Sequence, residues 1–182
     1  MREAKVWLGV FVLVICSAVF SGSAKATNEN NLLSKDSTEI SATPQVAFLV
    51  SKEKKLAKYE NAHKLTNEQL VELLEVVGFK DKALRSACAI AMAETNGRPL
   101  AFNGDTKTGD SSYGVFQINM IGELGPDRRE KFELDSNAEL FNPVKNAEIA
   151  HHMTKGGKDW SSWSSLNGTR YKEWYNKYPC KQ

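Results

Sequence analysis

The sequence predicts a mainly helical protein of the α+β class, with a buried central helix followed by a small insert of strand and loop. Two helical patterns succeed one another between residues 65 and 94, a loop rich in Gly and Asp comes next, and helical patterns return from residue 142. The 182 residues are 41% hydrophobic and 25% charged, which is typical of globular proteins.

The first helix of the predicted domain follows Leu65. Thr66 and Gln69 have the spacing of a capping box, and Leu65 and Leu70 are placed for a hydrophobic staple. The apolar positions then repeat at helical spacing, which predicts one buried face, and Gly78 ends the helix. That face comprises Leu70, Leu73, Leu74 and Val77.

The central helix is predicted from Asp81, which we expect to be its N-cap, to Glu94. Residues 83–93 are nearly all small or apolar, so the pattern indicates a helix that is buried on most sides. A polar loop follows at residues 103–112, and the alternation over residues 113–119 predicts a short strand. Asn142 and Pro143 are a favoured helix start, and a last aromatic helix is predicted over residues 169–178.

The N-terminus has the three-part layout of a secretory signal peptide over residues 1–26. A basic start precedes about 15 apolar residues and the sequence Ala24-Lys25-Ala26, which predicts cleavage before Thr27. The apolar run is shorter than the roughly 20 residues that span a bilayer, so we expect no stable membrane anchor. The protein is therefore predicted to be secreted, to the extracellular space or to a bacterial periplasm.

Residues 27–64 are predicted to be a polar leader or tether, followed by the compact domain at residues 65–182. The stretch Pro44 to Lys64 has two interpretations, because an apolar patch at residues 46–50 precedes a charged run at residues 52–55. It is either an extra helix or a tether that holds the domain off a surface. A structural role, in which this patch docks onto an envelope assembly, is a further alternative.

The charge balance argues against nucleic acid as a partner. Removal of the signal peptide takes away three basic residues and one acidic residue and leaves 21 of each in the mature chain. His151 and His152 would point about 100° apart on a helix, so we expect no metal site and no cofactor. Cys88 and Cys180 either form a disulfide or serve as small core residues. We expect a monomer.

Glu94 is the candidate catalytic residue. A carboxylate at the end of an apolar helix is costly to ionise, so we expect its pKa to be raised and its proton to be retained near neutral pH. A retained proton is what a general acid needs to cleave a glycosidic bond. The alternative is a glutamate that only caps the helix or forms an ion pair.

Four segments around Glu94 resemble the superfamily of lytic transglycosylases and goose-type lysozymes. They are Ala93-Glu94-Thr95-Asn96-Gly97, Ser111 to Asn119 with its Tyr-Gly-Val-Phe-Gln-Ile-Asn run, Asn142 to Ala147, and Trp160 to Ser164. The resemblance covers about residues 65–178 and implies a lysozyme-like fold. It also implies cleavage of the β-1,4 bond between MurNAc and GlcNAc in peptidoglycan strands.

The resemblance implies a role for each matching residue. Glu94 would be the acid and base, Ser112, Gln117 and Asn119 would line the sugar cleft, and Tyr113 and Phe116 would shape its wall. Packing in the core is the alternative for the two aromatic residues. The family often supports its acid with a tyrosine, which is missing from residues 163–167, and Tyr171 is a substitute. Sugar stacking or core packing is open for Trp160, Trp163, Tyr171 and Trp174.

The number of carboxylates bears on the reaction. A glycosidase that uses water ordinarily needs two, whereas a transglycosylase can work with one and form a 1,6-anhydro-MurNAc end. Because Glu94 is the only well-placed carboxylate, the sequence favours the transglycosylase. A hydrolase with Asp105 or Asp110 as second carboxylate, and a non-catalytic wall-binding module, are the alternatives.

Overall fold

Six α-helices and one small sheet form the part of the chain that the structure, a computed structural model, describes: residues 43–105 and 107–180. The predicted signal peptide and the predicted leader up to residue 42 lie outside these ranges. The helices are α1 (Pro44–Ala57), α2 (Asn67–Val77), α3 (Asp81–Thr95), α4 (Leu124–Phe132), α5 (Pro143–Met153) and α6 (Thr169–Asn176), with short 3-10 helices at Asn137–Phe141 and Ser164–Asn167. The predicted mainly helical α+β class is confirmed.

Helix α2 begins and ends at the residues that its sequence signals predict. The Thr66 Oγ1 accepts a hydrogen bond from the Gln69 amide at 3.2 Å, and the Gln69 side chain accepts one from the Thr66 amide at 2.8 Å. Gly78 follows the last turn with a φ of +128°, a backbone conformation that other residues adopt only with strain. The four predicted apolar residues are the buried ones in α2.

Helix α3 runs through the middle of the core. Every residue from Ser86 to Ala93 is buried, and the Cys88–Cys180 disulfide joins the helix to the C-terminal end with a Cα–Cα distance of 6.4 Å. The prediction that Asp81 is the N-cap is wrong, because Lys80 occupies that position and makes no side-chain cap bond. Burial of the adjacent Phe79 side chain stabilises the protein by about 1.5–3 kcal/mol, more than the roughly 1 kcal/mol of a cap.

The sheet has three antiparallel strands in the order β1 (Phe102–Asn103), β2 (Ser112–Tyr113) and β3 (Ile118–Asn119). Phe102 pairs with Tyr113, and Ser112 pairs with Asn119. The single strand predicted over residues 113–119 is therefore two strands with a turn between them. Gly114 and Gln117, with φ values of +73° and +48°, end the extended backbone at either side of that turn.

The stretch from Pro44 to Lys64 begins with an extra helix. Thr43 caps α1, and Leu56 and Tyr59, at its end and just beyond it, belong to the hydrophobic core. The Tyr59 hydroxyl donates a hydrogen bond of 2.6 Å to Glu72 on α2. The core therefore begins before Leu65. None of the helices in the described ranges is long and apolar enough to cross a bilayer.

Candidate functional site

A polar cavity of about 200 Å³ lies between the end of α3, the sheet and the segment before the last 3-10 helix. Three parts of the chain that are distant in sequence meet there. Its walls are formed by Glu94, Asn103, Asp110, Ser112, Gln117, Asn119, Ser162, Trp163 and Ser164. The four predicted residues that it brings together are Glu94, Ser112, Gln117 and Asn119.

Glu94 lies at the end of the buried helix with its carboxyl group half-buried at the cavity. Burial raises the pKa of this carboxyl group, because removal from water penalises the ionised form. The Ser165 hydroxyl and the charge of Arg170 act in the opposite direction, and the negative charge of Asp110 raises the pKa further. Desolvation is the largest of these influences. The Ser165 Oγ is buried and makes no hydrogen bond of standard geometry with any described residue. The net result is a carboxyl group that holds its proton to a higher pH.

The end of α3 is fixed by bonds to two other parts of the domain. The Thr95 hydroxyl, next to Glu94, donates to the Val115 carbonyl oxygen at 2.9 Å. Arg170 on α6 donates to the Asn96 Oδ1 at 2.9 Å and to the Met92 carbonyl oxygen at 3.2 Å. These bonds hold the acid in one position relative to the sheet.

Asp110 is the second carboxylate of the cavity. Its two oxygens accept hydrogen bonds of 2.6 Å, one from the Asn103 Nδ2 and one from the Ser112 hydroxyl, which fix the carboxylate on the opposing β1 and β2 strands. Asp105 does not line the cavity. It accepts a hydrogen bond from the Lys107 amide at 2.8 Å and so serves the turn of its own loop.

The turn between β2 and β3 is held by Asn146 of α5, whose side chain is fully buried. Its Oδ1 accepts from the Phe116 amide at 2.8 Å, and its Nδ2 donates to the carbonyl oxygens of Tyr113 at 2.9 Å and Leu140 at 3.0 Å. A Cβ at Gly114 would collide with the Leu140 carbonyl oxygen and the Asn146 side chain. The turn therefore accepts only glycine there and presents Gln117 to the cavity.

Polar side chains in the cavity are anchored by the backbone around them. The Gln117 Nε2 donates to the carbonyl oxygens of Gly114 at 3.0 Å and Ala101 at 3.2 Å. The Asn119 Oδ1 accepts from the Ile121 amide at 2.9 Å, and Arg128 donates to the Asn119 carbonyl oxygen. Such anchoring gives a preorganised polar surface, of the kind that fixes the orientation of a bound ligand.

The other three predicted site residues lie outside the cavity. Phe116 is fully buried beside Phe79 and Trp163, so the prediction that it shapes the cleft wall is corrected to core packing. Tyr113 lies half-buried against Phe102 and Phe141, with ring centroids 4.8 and 5.5 Å away, because its position in β2 directs it to the side of the sheet opposite Ser112. Phe116 thus follows the core-packing alternative, whereas the role of the half-buried Tyr113 in the cleft wall stays a prediction.

Tyr171 on α6 does not contact the acid. Its hydroxyl lies 3.3 Å from the Ser86 hydroxyl and its ring packs against Tyr175, so the supporting role assigned to it is corrected. Ser165 and Arg170 are the groups of that region that act on Glu94. The sequence contained one signal for this, because Ser165 lies in the segment that corresponds to the supporting tyrosine of the family.

Asn103, Ser162 and Ser164 are cavity residues that the sequence did not identify, since loop serines and asparagines are common at any surface. Trp163 also lines the cavity while it belongs to the core, and its Nε1 donates to the Phe116 carbonyl oxygen at 2.8 Å. Over residues 43–105 and 107–180, no three His, Cys, Asp or Glu side chains are grouped as a metal site.

Comparison with known protein families identifies the domain that contains this cavity. A family model described as a lysozyme-like domain matches residues 71–165, which is more than half of the chain. The chain belongs to the lysozyme-like domain family. The matched range contains Glu94, Asp110 and every other residue that lines the cavity. The lysozyme-like fold predicted from the sequence is thereby confirmed.

Among curated proteins, the lysozyme-like chain is similar to the milk isozyme of lysozyme C from the horse, Equus caballus. The two are 29% identical over 119 residues, which cover 60% of this chain and 86% of that lysozyme. No solved structure matches the chain. A lysozyme-like domain supports an enzyme of the glycosidase type, and the cavity with its two carboxyl groups is the candidate active site.

Proposed function

We propose that this lysozyme-like protein hydrolyses the β-1,4 bond between MurNAc and GlcNAc in peptidoglycan, with Glu94 as general acid and Asp110 as the second carboxylate. The observation that carries the proposal is the presence of both carboxyl groups in one cavity, one half-buried with a raised pKa and one held by two hydrogen bonds. Most glycosidases use two carboxyl groups as their catalytic groups, and the different surroundings of the two groups give them different pKa values.

The two groups have different tasks in this reaction. Glu94 donates its proton to the glycosidic oxygen as the bond to the anomeric carbon breaks, so that the departing sugar leaves as a neutral alcohol. The anomeric carbon acquires positive charge, and the negative charge of Asp110 stabilises it. Water then adds to that carbon, and Glu94, now ionised, accepts a proton from it.

The presence of Asp110 in the cavity bears on the choice between hydrolysis and the transglycosylase reaction, which the sequence leaves open. The sequence favours a lytic transglycosylase because Glu94 is the only carboxylate with a clear position. Asp110 lines the same cavity, which supports the reaction that uses water. The transglycosylase, which needs Glu94 alone, stays a prediction that product analysis distinguishes from hydrolysis.

We also propose that the protein acts outside the cytoplasm. The proposal rests on the signal peptide predicted over residues 1–26. Peptidoglycan, the proposed substrate, also lies outside the cytoplasm. Peptidoglycan glycan strands are the proposed partner, bound in the polar cavity.

The test is mass spectrometry of purified peptidoglycan after digestion by the mature chain and by three variants. Glu94→Gln removes the acid, Asp110→Asn removes the second carboxylate, and Asp105→Asn is the matched control because Asp105 lies in the same loop but outside the cavity. We expect products with reducing MurNAc ends. The rate should fall by about 10²–10⁴-fold in Glu94→Gln and about a hundredfold in Asp110→Asn, with Asp105→Asn unchanged.

Other outcomes have defined meanings. Anhydro-MurNAc products that persist in Asp110→Asn and disappear in Glu94→Gln would establish the transglycosylase. No soluble products, together with wall binding that survives in Glu94→Gln, would contradict the enzyme and leave a binding module.

A further inference from the structure

The first half of α1 exposes an apolar surface that the rest of the domain does not cover. Val46, Phe48, Leu49 and Val50 are 48%, 67%, 50% and 58% exposed. These residues surround the helix in its first two turns, whereas Leu56 at the other end is buried in the core. We call this surface, residues 46–50, the apolar tip. A contiguous apolar surface on a soluble domain usually marks a site of interaction.

A groove of about 380 Å³ with a basic lining lies beside the apolar tip, between α1 and the end of α2. Three lysines and one glutamate contribute charge to it, and Phe48 of the tip forms part of its wall. Its lining is Phe48, Ser51, Lys52, Lys55, Glu75, Val76 and Lys80. We call this the lysine groove. Lysine ammonium groups around a cavity with a hydroxyl and apolar walls fit a phosphate group attached to a hydrocarbon body.

The charges of α1 confirm the excess of positive groups at this surface. From its start to Lys58 the segment has four lysines and one acidic residue, Glu53. Lys52 forms a long ion pair of 3.7 Å with Glu148, and Lys58 pairs with Glu72 at 2.7 Å. Lys54 and Lys55 form no ion pair with any described residue, although the charge of Lys55 acts on Glu72.

We propose that the apolar tip and the lysine groove dock the protein onto an anionic phospholipid surface. The tip enters the boundary between headgroups and acyl chains, and the lysines contact lipid phosphates, as in peripheral amphipathic helices. A second copy of the chain fits this surface less well, because in a two-fold dimer the lysines of one copy would face those of the other. Docking of this kind is reversible and differs from a membrane-spanning anchor.

The docking surface is separate from the candidate active site. No residue of α1, and no residue of the lysine groove, lines the cavity that contains Glu94. A protein bound by α1 therefore keeps its cavity open to a glycan strand. The inference does not depend on which reaction occurs there.

The test is co-sedimentation of the mature chain, beginning at Thr27, with vesicles of phosphatidylcholine alone or mixed with phosphatidylglycerol. Residues 1–26 are omitted because their apolar run would itself bind vesicles. We expect binding only to the anionic vesicles, weakened by salt as charges are screened. Lys55→Gln and Lys80→Gln should each weaken binding about fivefold, and Phe48→Ser with Leu49→Ser should abolish it.

Two matched variants separate docking from general changes of charge or apolarity. Lys172→Gln removes a lysine from α6, and Leu124→Ser removes an exposed apolar side chain from α4. Both should bind as the parent chain does. Equal binding by all variants, equal binding to neutral vesicles, or a dimer in light scattering that Phe48→Ser converts to a monomer would each overturn the proposal.

Discussion

Asn146→Ala changes no residue that lines the cavity, and we expect it to lower the stability of the fold more than any other single substitution near the site. It removes the bonds to the Phe116 amide and the Tyr113 and Leu140 carbonyl oxygens, of which the first and last are buried. A buried group left unpaired costs about 1–3 kcal/mol, and a partly exposed bond contributes about 1 kcal/mol. We therefore expect the free energy of unfolding to fall by roughly 3–7 kcal/mol, a large part of a domain's stability.

The measurement is urea denaturation followed by tryptophan fluorescence, with Asn142→Ala as control. Asn142 is an asparagine on the same side of α5 that caps its start by accepting from the Val144 and Lys145 amides, so its loss should cost only about 1 kcal/mol. A loss in Asn146→Ala no larger than that in Asn142→Ala would refute the reasoning, because it would mean that the turn between β2 and β3 is held by other contacts.

Three further predictions concern the acid and the disulfide. Burial raises the pKa of Glu94 in the folded protein above its value in the unfolded chain, so ionisation of Glu94 destabilises the fold as the pH rises above about 4. Glu94→Gln should therefore raise the thermal unfolding midpoint at neutral pH and leave it unchanged in acid, which thermal unfolding at the two pH values measures. The Ser165 hydroxyl lowers the pKa of Glu94, so Ser165→Ala should move the alkaline limb of the kcat/KM profile to higher pH. Ser164→Ala, at the neighbouring serine that lines the cavity, should leave that limb in place. Cys180→Ala opens a loop with a sequence separation of 92 residues and should lower the free energy of unfolding by about 4–5 kcal/mol. A reductant should then have no further effect on the unfolding midpoint of the variant. A midpoint equal to that of the parent chain would contradict the disulfide.

Features that depend on neighbours along the chain could be predicted from the sequence. The capping box of α2, its Gly78 terminus and the Asn142-Pro143 start of α5 are each decided within a few residues, and the structure has all three. The buried character of α3 was predictable for a related reason, since a helix with small or apolar residues on every side has no polar face for water.

Features that depend on distant contacts were not predictable. The break between β2 and β3 is fixed by Asn146, which is about 30 residues further along the chain. Whether Tyr113 faces the cavity depended on the strand register, because a shift of one residue reverses every side chain of a strand. The position of Phe116 depended on the turn that Asn146 holds. Asp110 has the same residue type and the same loop as Asp105, and only the folded loop distinguishes the carboxylate that lines the cavity from the one that does not.

The two carboxyl groups of the cavity belong to parts of the chain with very different tolerance for change. Glu94 ends a helix whose neighbours fill the core, so its surroundings are constrained by the stability of the whole domain. Asp110 lies in a surface loop between two short strands, where insertions and substitutions cost little. That loop can therefore change in length or charge at little cost to the stability of the fold, whereas a change in the surroundings of Glu94 also disturbs the core.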